Sequence, residues 1–236
     1  MTKVTDSKVS LDEKKLSSTI EDYLSFIYVL ERDGEPVSNA RLAMLVGVTP
    51  PTVTNTIKRM ARDGLISVQD NRVRLTETGW ELARRVMRRH MLTEWMMARM
   101  LPWSKLHSEA HNLEHAISSL AETALGEELN NPETCPHGNP LPGCEGTVST
   151  WEPLINIPVG ERVIIRRIHE LAEEDSELLA FFESVGIMPE SSAEVLAVLP
   201  FNQTITLKIQ NEPVTLGFIA ARQVFVERIA PEEKKS

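Results

Sequence analysis

The segment HSEAHNLEH carries three imidazoles and a carboxylate, on His107, His111, Glu114 and His115. Their spacing is i, i+4, i+7 and i+8, which on an α-helix lines up one face. Nitrogen and carboxylate donors in one stripe are the ligands of a divalent transition metal. A second pair, His90 and Glu94, is spaced i, i+4 on the preceding predicted helix. A lone histidine is usually a surface or core residue. Here, four of the six histidines fall between residues 90 and 115, and a fifth, His137, follows Cys135 in the run CPH. This clustering points to metal binding. The two cysteines, Cys135 and Cys144, are too sparse for a disulfide scaffold and fit a reducing compartment.

Upstream of these donors, residues 17–32 (SSTIEDYLSFIYVLER) have helical periodicity in Ile20, Leu24, Ile27 and Leu30. Ser38 is placed to cap a short helix that stops at Gly47. Thr49 is placed to cap another that opens with Pro50 and Pro51, where a missing N–H costs little, and ends at Gly64. Two short β-like runs, LISVQ and RVRLT, follow around an Asp70-Asn71 turn. Helix, turn, helix and hairpin form the winged helix-turn-helix pattern, whose second helix enters the DNA major groove. Its leading residues Thr49, Pro51, Thr52, Thr54 and Asn55 can meet bases, while Lys58, Arg72 and Arg74 can meet phosphates. The net charge is −9, yet residues 34–90 hold ten Lys/Arg against five Asp/Glu. That surplus leaves −14 for the remainder, so a basic module sits inside an acidic chain.

Downstream, residues 78–101 and 106–125 read as two helices. The run NNPETCPHGNPLPGCEG is too rich in Pro and Gly for regular structure and reads as a ligand-bearing connector. From Val159 to Ile229, the runs RVIIRRI, AEVLAVL, TITLKI, VTLGF and VFVERI read as strands of a small β-barrel, interrupted by one helix, LAEEDSELLAFFESVG. The expected class is mainly α with β. Its divisions are a polar tail (1–16), a winged helix-turn-helix (17–77), a helical metal-binding and dimerisation region with its connector (78–150) and a small β-barrel (151–236). The first sixteen residues lack the apolar core of a signal peptide, and no run of about eighteen apolar residues occurs. A cytoplasmic protein is expected, without membrane contact.

IEDYLSFIYVL, VTPPTVTNTIKRMARDGLI, LTETGWELARRVMRRH, HSEAHNLEH and CPHGNPLPG together resemble the diphtheria-toxin-repressor family of iron- and manganese-dependent regulators. The resemblance spans nearly the whole chain, and residues beyond Val159 are similar to the FeoA-like, Src-homology-3-like domain of many members. It implies one metal site from Asp22, His111, Glu114 and His115. A second is implied from His90, Glu94 and His107, with Glu174 and Glu177 the best matches for ligands from the barrel and Asp175 a substitute. In a manganese branch the Cys and His of a CPH segment join the Glu94 position instead. Cys135 and His137 keep that option, so the make-up of the second site stays open.

The family also implies a homodimer on palindromic double-stranded DNA, repressing metal-uptake genes. Iron-responsive members tend to have Met at the position of Asp22 and Cys at that of His111; manganese-responsive members have Asp and often Glu. The hard oxygen of Asp22 favours Mn(II), with Fe(II) close behind and Zn(II) or Co(II) as substitutes in vitro. Two other readings use some of the same residues: a metal-dependent hydrolase, and a winged-helix regulator sensing an organic ligand. The chain has no HExxH motif, nucleophile elbow or phosphate loop, so an enzyme is not expected.

Overall fold

The computed structural model describes residues 16–70 and 72–229. The polar tail, apart from Leu16, and Asn71 of the expected turn lie outside the described residues. The chain divides into two compact units, Met1–Ala83 and Arg84–Ser236.

In the first unit, α1 (Ser18–Arg32) buries Ile20, Leu24 and Ile27, with Tyr23 and Tyr28 beside them. Then α2 (Asn39–Val46) starts where the Ser38 hydroxyl accepts from the Arg41 N–H and stops at Gly47, φ +70°. Next, α3 (Pro50–Arg62) begins with the expected prolines. Thr49 does not cap it through its side chain; its hydroxyl pairs with that of Thr52 at 2.9 Å. Val53, Ile57 and Met60 form the buried stripe of α3, each worth about 1.5–3 kcal/mol of apolar burial. The wing is β1 (Ile66–Gln69) antiparallel to β2 (Arg72–Leu75), with Gln69 opposite Arg72. The start of α4 (Glu77–Met97) presses on the segment before β1. A Cβ on Gly79 would lie 2.0 Å from the Leu65 carbonyl oxygen, so only glycine permits that approach.

In the second unit the expected 106–125 helix is interrupted. There, α5 (Leu106–Leu113) gives way to a 3-10 turn, Glu114–Ala116, before α6 (Ser119–Glu128). Ser118 is the reason: as N-cap of α6 it takes extended dihedrals and its hydroxyl accepts from the Ala121 N–H. Periodicity does not register such an internal cap. Asp175 likewise splits the second expected helix. It caps α8 (Ser176–Val185), accepting from the Glu177 and Leu178 N–H groups, and separates it from α7 (Glu170–Glu173).

The five expected C-terminal strands are present as β4 (Arg162–Ile168), β5 (Ser192–Leu199), β6 (Thr204–Ile209), β7 (Glu212–Gly217) and β8 (Val224–Arg228). A short β3 (Glu152–Pro153) joins them, and α9 (Phe218–Ala221) lies between β7 and β8. The order is β3-β8-β4-β5-β6-β7, all antiparallel. This is an open sheet, in place of the closed barrel expected: β3 and β7 are edges among the described residues. Val163, Ile165, Leu179, Phe182, Val195 and Leu207 are central to its core.

Candidate metal centre

Two groups of donors meet at α5, one drawing also on the turn after it and the other on α4, the connector and α7. In the first, the Glu114 carboxylate lies between two imidazoles. Its Oε1 is 3.4 Å from His111 Nδ1 and 3.5 Å from His115 Nε2. The 3-10 turn carries Glu114 and His115 away from the ideal helical stripe, yet keeps the His111 and His115 ring centroids 5.8 Å apart. Glu114 is buried, whereas the His111 side chain is 46% exposed. Asp22 sits on α1 in the other unit, half-buried.

The second group is buried and larger than expected. Glu94 Oε1 lies 3.2 Å from His90 Nε2, 3.5 Å from His107 Nδ1 and 3.3 Å from His137 Nδ1. Glu173, at the end of α7, brings Oε2 to 3.0 Å from His107 Nδ1 and 3.5 Å from His137 Nδ1. Cys135 Sγ belongs to the same cluster. The alternatives of the sequence reading therefore adjoin: His90 and His107 on one side, Cys135 and His137 on the other, with Glu94 and Glu173 common to both. Glu174 reaches His107 Nε2 at 3.3 Å from the half-exposed rim. Glu177 is exposed and outside these groups, and Asp175 is occupied by its capping bonds.

Glu173 is not among the donors that spacing or the family resemblance indicates. The signal was present in the Asp175-Ser176 cap, which ends α7 immediately after the glutamates and turns Glu173 inward while Glu174 stays at the rim. Two tryptophans hold the connector in place. Trp95 Nε1 donates to the Thr134 carbonyl at 2.7 Å, and Trp103 Nε1 donates to the Pro136 carbonyl at 2.9 Å.

Burial sets the electrostatics. It works against a charge on His90, but the carboxylates of Glu114 and Glu94 outweigh it and push the imidazole up to about 10. Burial raises Glu114 too, and His111 and His90 overcome this to bring it down to about 2. Burial, with the nearby anion of Glu94, pushes Glu173 up. Burial and the same carboxylates push the Cys135 thiol up.

These surroundings fit a divalent cation. Glu94 Oε2 is buried with no hydrogen-bond donor, and His137 Nδ1 is buried without a hydrogen bond. The other His137 nitrogen, Nε2, is 3.1 Å from the Trp103 carbonyl, which can only accept. That contact fixes the N–H at Nε2 and leaves the Nδ1 lone pair facing the cluster, as a metal-ligating histidine requires. Similarly, His90 Nδ1 donates to Glu114 Oε2 at 2.5 Å, which leaves Nε2 for the cluster. Buried charges are tolerated when paired or coordinated to a metal.

The residues expected to read DNA lie in the first unit. Thr49, Pro51, Thr52, Asn55 and Lys58 are exposed at α3, and Arg72 and Arg74 are exposed on β2 opposite its buried side. Thr54 is half-buried, and its hydroxyl donates to the Pro50 carbonyl at 3.0 Å. Part of the basic surplus serves the second unit instead. Arg84 meets Glu145, Arg88 meets Glu122 and Asn131, and Arg89 meets Glu122.

Three family models match the chain in succession. They are the iron dependent repressor N-terminal DNA binding domain (residues 15–73), the iron dependent repressor metal binding and dimerisation domain (76–143) and the FeoA domain (152–228). The iron-dependent repressor IdeR of Mycobacterium tuberculosis strain H37Rv is 36% identical over 229 residues, covering 91% of this chain and 99% of its own length. The diphtheria toxin repressor of Corynebacterium jeikeium is 33% identical over 215 residues, 78% of this chain and 87% of its own. A solved manganese-dependent transcriptional repressor in complex with manganese superposes with a TM-score of 0.76 at 32% identity, over 89% of this chain and 100% of its own. Among the described residues, no helix is long and apolar enough to cross a membrane. With a helix-turn-helix and wing ahead of buried imidazole and carboxylate donors, and relatives matching almost end to end, the chain belongs to the iron-dependent repressor family of metal-dependent transcriptional repressors.

Proposed function

We propose that this chain is a Mn(II)-activated repressor that reads a palindromic operator as a homodimer and controls metal-homeostasis genes in the cytoplasm. Fe(II) is the competing effector. The observation that carries the metal reading is Glu94: a buried carboxylate ringed by three imidazoles, with one oxygen lacking any donor. Glu94, His90, His107, Cys135, His137 and Glu173 would hold one centre, with Glu174 at its rim. Asp22, His111, Glu114 and His115 would hold the other, Asp22 being assigned by the family resemblance. The working division of the chain is 17–77 for DNA, 78–150 for metal and dimerisation and 151–236 for the FeoA-like domain.

A bound divalent ion supplies the positive charge that balances the buried carboxylates. His90 and His137 orient their ring nitrogens through Glu114 and the Trp103 carbonyl. Glu114 faces both donor groups, with Oε1 towards His111 and His115 and Oε2 towards His90. A ligand that favours the DNA-competent arrangement shifts the population towards it, and operator binding must tighten metal binding by the same factor. We read the buried centre as holding its ion and not as catalytic, because its shared donors Glu94 and Glu173 are both at most 2% exposed.

The test is a selection on random duplexes with Mn(II), with Fe(II) under anoxia, and with chelator. A single palindrome enriched only with metal is expected; enrichment unaffected by chelator would overturn the reading. On the selected operator, Asn55→Ala costs about 1–3 kcal/mol relative to random DNA if it reads a base. Arg72→Ala weakens both DNAs and lowers the salt slope by about one. The bond from Thr54 to Pro50 makes Thr54→Ala the smaller loss of the two α3 substitutions.

A further inference from the structure

The connector meets β4 through a buried chain of side chains that contains no metal donor until its last member. Asn139 is fully buried. Its amide nitrogen donates to the Ile168 carbonyl at 2.7 Å and to Glu173 Oε1 in a short bond. Its amide oxygen accepts from Arg167 Nε at 2.5 Å. The arginine is itself only 3% exposed, with its guanidinium 4.8 Å from the centroid of the Phe225 ring. An arginine so placed is rarely tolerated unless it is paired or hydrogen-bonded.

Local backbone features make the chain possible. The pairing of β4 with β8 shifts register between Ile165 and Arg167, and this bulge breaks the alternation, so Arg167 and Ile168 are both buried. Gly138 lies against the same stretch. A Cβ there would stand 1.9 Å from the Arg166 carbonyl oxygen, and its φ is +88°. The Ile168 N–H donates to the His137 carbonyl at 2.9 Å, which fastens the loop next to its donor histidine. Asn139 thus takes one oxygen of Glu173, while the other, Oε2, faces His107 and His137.

We propose that Asn139, oriented by Arg167, is a positioning residue that fixes which oxygen of Glu173 faces the buried metal centre. The proposal rests on the reading of Glu173 as a donor. Arg167 holds the amide oxygen, so the amide nitrogen must face Glu173. The carboxylate then cannot rotate to satisfy itself elsewhere. Hydrogen-bonding partners of metal ligands typically change metal affinity by about 10–100-fold.

The test is a double-mutant cycle on the full-length protein. Mn(II) affinity and stoichiometry are read from the free-Mn(II) electron paramagnetic resonance signal, for wild type, Asn139→Ala, Glu173→Ala and the double variant. Asn139→Ala should weaken one class of site by about 10–100-fold and leave the stoichiometry at the other unchanged. In the Glu173→Ala background it should cause no further loss, because its effect passes through that carboxylate. A purely structural role gives losses that add, and additive losses overturn the proposal. So does an Asn139→Ala protein with unchanged affinity beside a strongly weakened Glu173→Ala. A Glu173→Ala protein that binds as wild type removes the donor reading and the proposal together. Should Asn139→Ala not fold, Arg167→Lys replaces it in the cycle. It keeps the buried charge but lacks the Nε donor, and a several-fold loss that vanishes with Glu173→Ala is expected; no loss, or an additive one, counts against the proposal.

Discussion

The two donor groups share α5 but not their surroundings. Around Glu94, the imidazoles and carboxylates are nearly all sealed from solvent, and their spare nitrogens are tied to Glu114 and a backbone carbonyl. Around Glu114, the carboxylate is buried, but His111 is 46% exposed and His115 24%. A sealed group pays a desolvation cost whenever it lacks its counter-ion, whereas water relieves the open one. The sealed group is therefore suited to keeping its ion and stabilising the second unit, and the open one to exchanging with the cell's metal pool. On the function proposed above, occupancy of the open group would report metal concentration.

The largest effect that can break this contrast comes from Glu94→Gln. Glutamine keeps the size but removes the charge that faces His90, His107 and His137. Removing one partner of a buried charged group costs about 3–5 kcal/mol. The apo protein should lose stability of that order in urea, and one class of Mn(II) site should disappear. A variant as stable as wild type would show that the sealed group does not depend on its central charge.

His111→Ala is the matching change in the open group, with a smaller effect on folding. His111 is exposed but helps hold the Glu114 carboxyl down, so the denaturation midpoint at neutral pH should fall, by less than in Glu94→Gln. The Mn(II) concentration needed for operator binding should rise roughly tenfold, the low end of the losses that follow disturbance of a metal site. A large stability loss with unchanged metal response would reverse the roles assigned to the two groups. Asp22→Met sharpens the point by exchanging a hard oxygen for a soft sulfur: activation by Mn(II) should weaken more than activation by Fe(II). An unchanged Mn(II) midpoint would remove Asp22 from the open group.

The sequence disclosed the open group more readily than the sealed one, for a physical reason. His111, Glu114 and His115 lie within five residues, and the spacing survives the switch from α-helix to 3-10 turn. The sealed group assembles from four places in the chain: α4, α5, the connector and α7. Spacing supplied His90, Glu94 and His107, and the CPH run supplied Cys135 and His137, but only packing shows that both sets meet at Glu94. Glu173 needed the cap at Asp175, and Asn139 and Arg167 needed the bulge in β4, neither of which hydrophobic periodicity registers. The fold was legible for similar reasons. Ser38, Gly47, Pro50 and Gly64 mark the helix-turn-helix locally. Whether the C-terminal strands close or remain open depends on pairings distant in sequence, which strand patterns alone do not contain.

A pH dependence of the apo protein is also expected, and it arises where the two groups touch. His90 donates to Glu114 at 2.5 Å, with the imidazole pushed up to about 10 and the carboxyl brought down to about 2. A raised histidine stabilises the fold fully below its ordinary value of 6.5, and that contribution fades as pH climbs through about 10. A lowered carboxyl stabilises it above 4.5, and that contribution fades as pH falls through about 2. This pair alone therefore gives a plateau of apo stability between 4.5 and 6.5, with a decline on each side. Urea midpoints across pH, in chelator, measure it. His111→Ala should flatten the acid limb, because His111 helps hold Glu114 down, and leave the alkaline limb intact. His90, His107, His137 and the Cys135 thiol are all pushed up, so Mn(II) binding at the sealed group must expel protons. Calorimetry in buffers of different ionisation enthalpy counts them. A heat independent of the buffer would mean that these donors are already deprotonated, and the link His90 makes between the two groups would then be a neutral hydrogen bond.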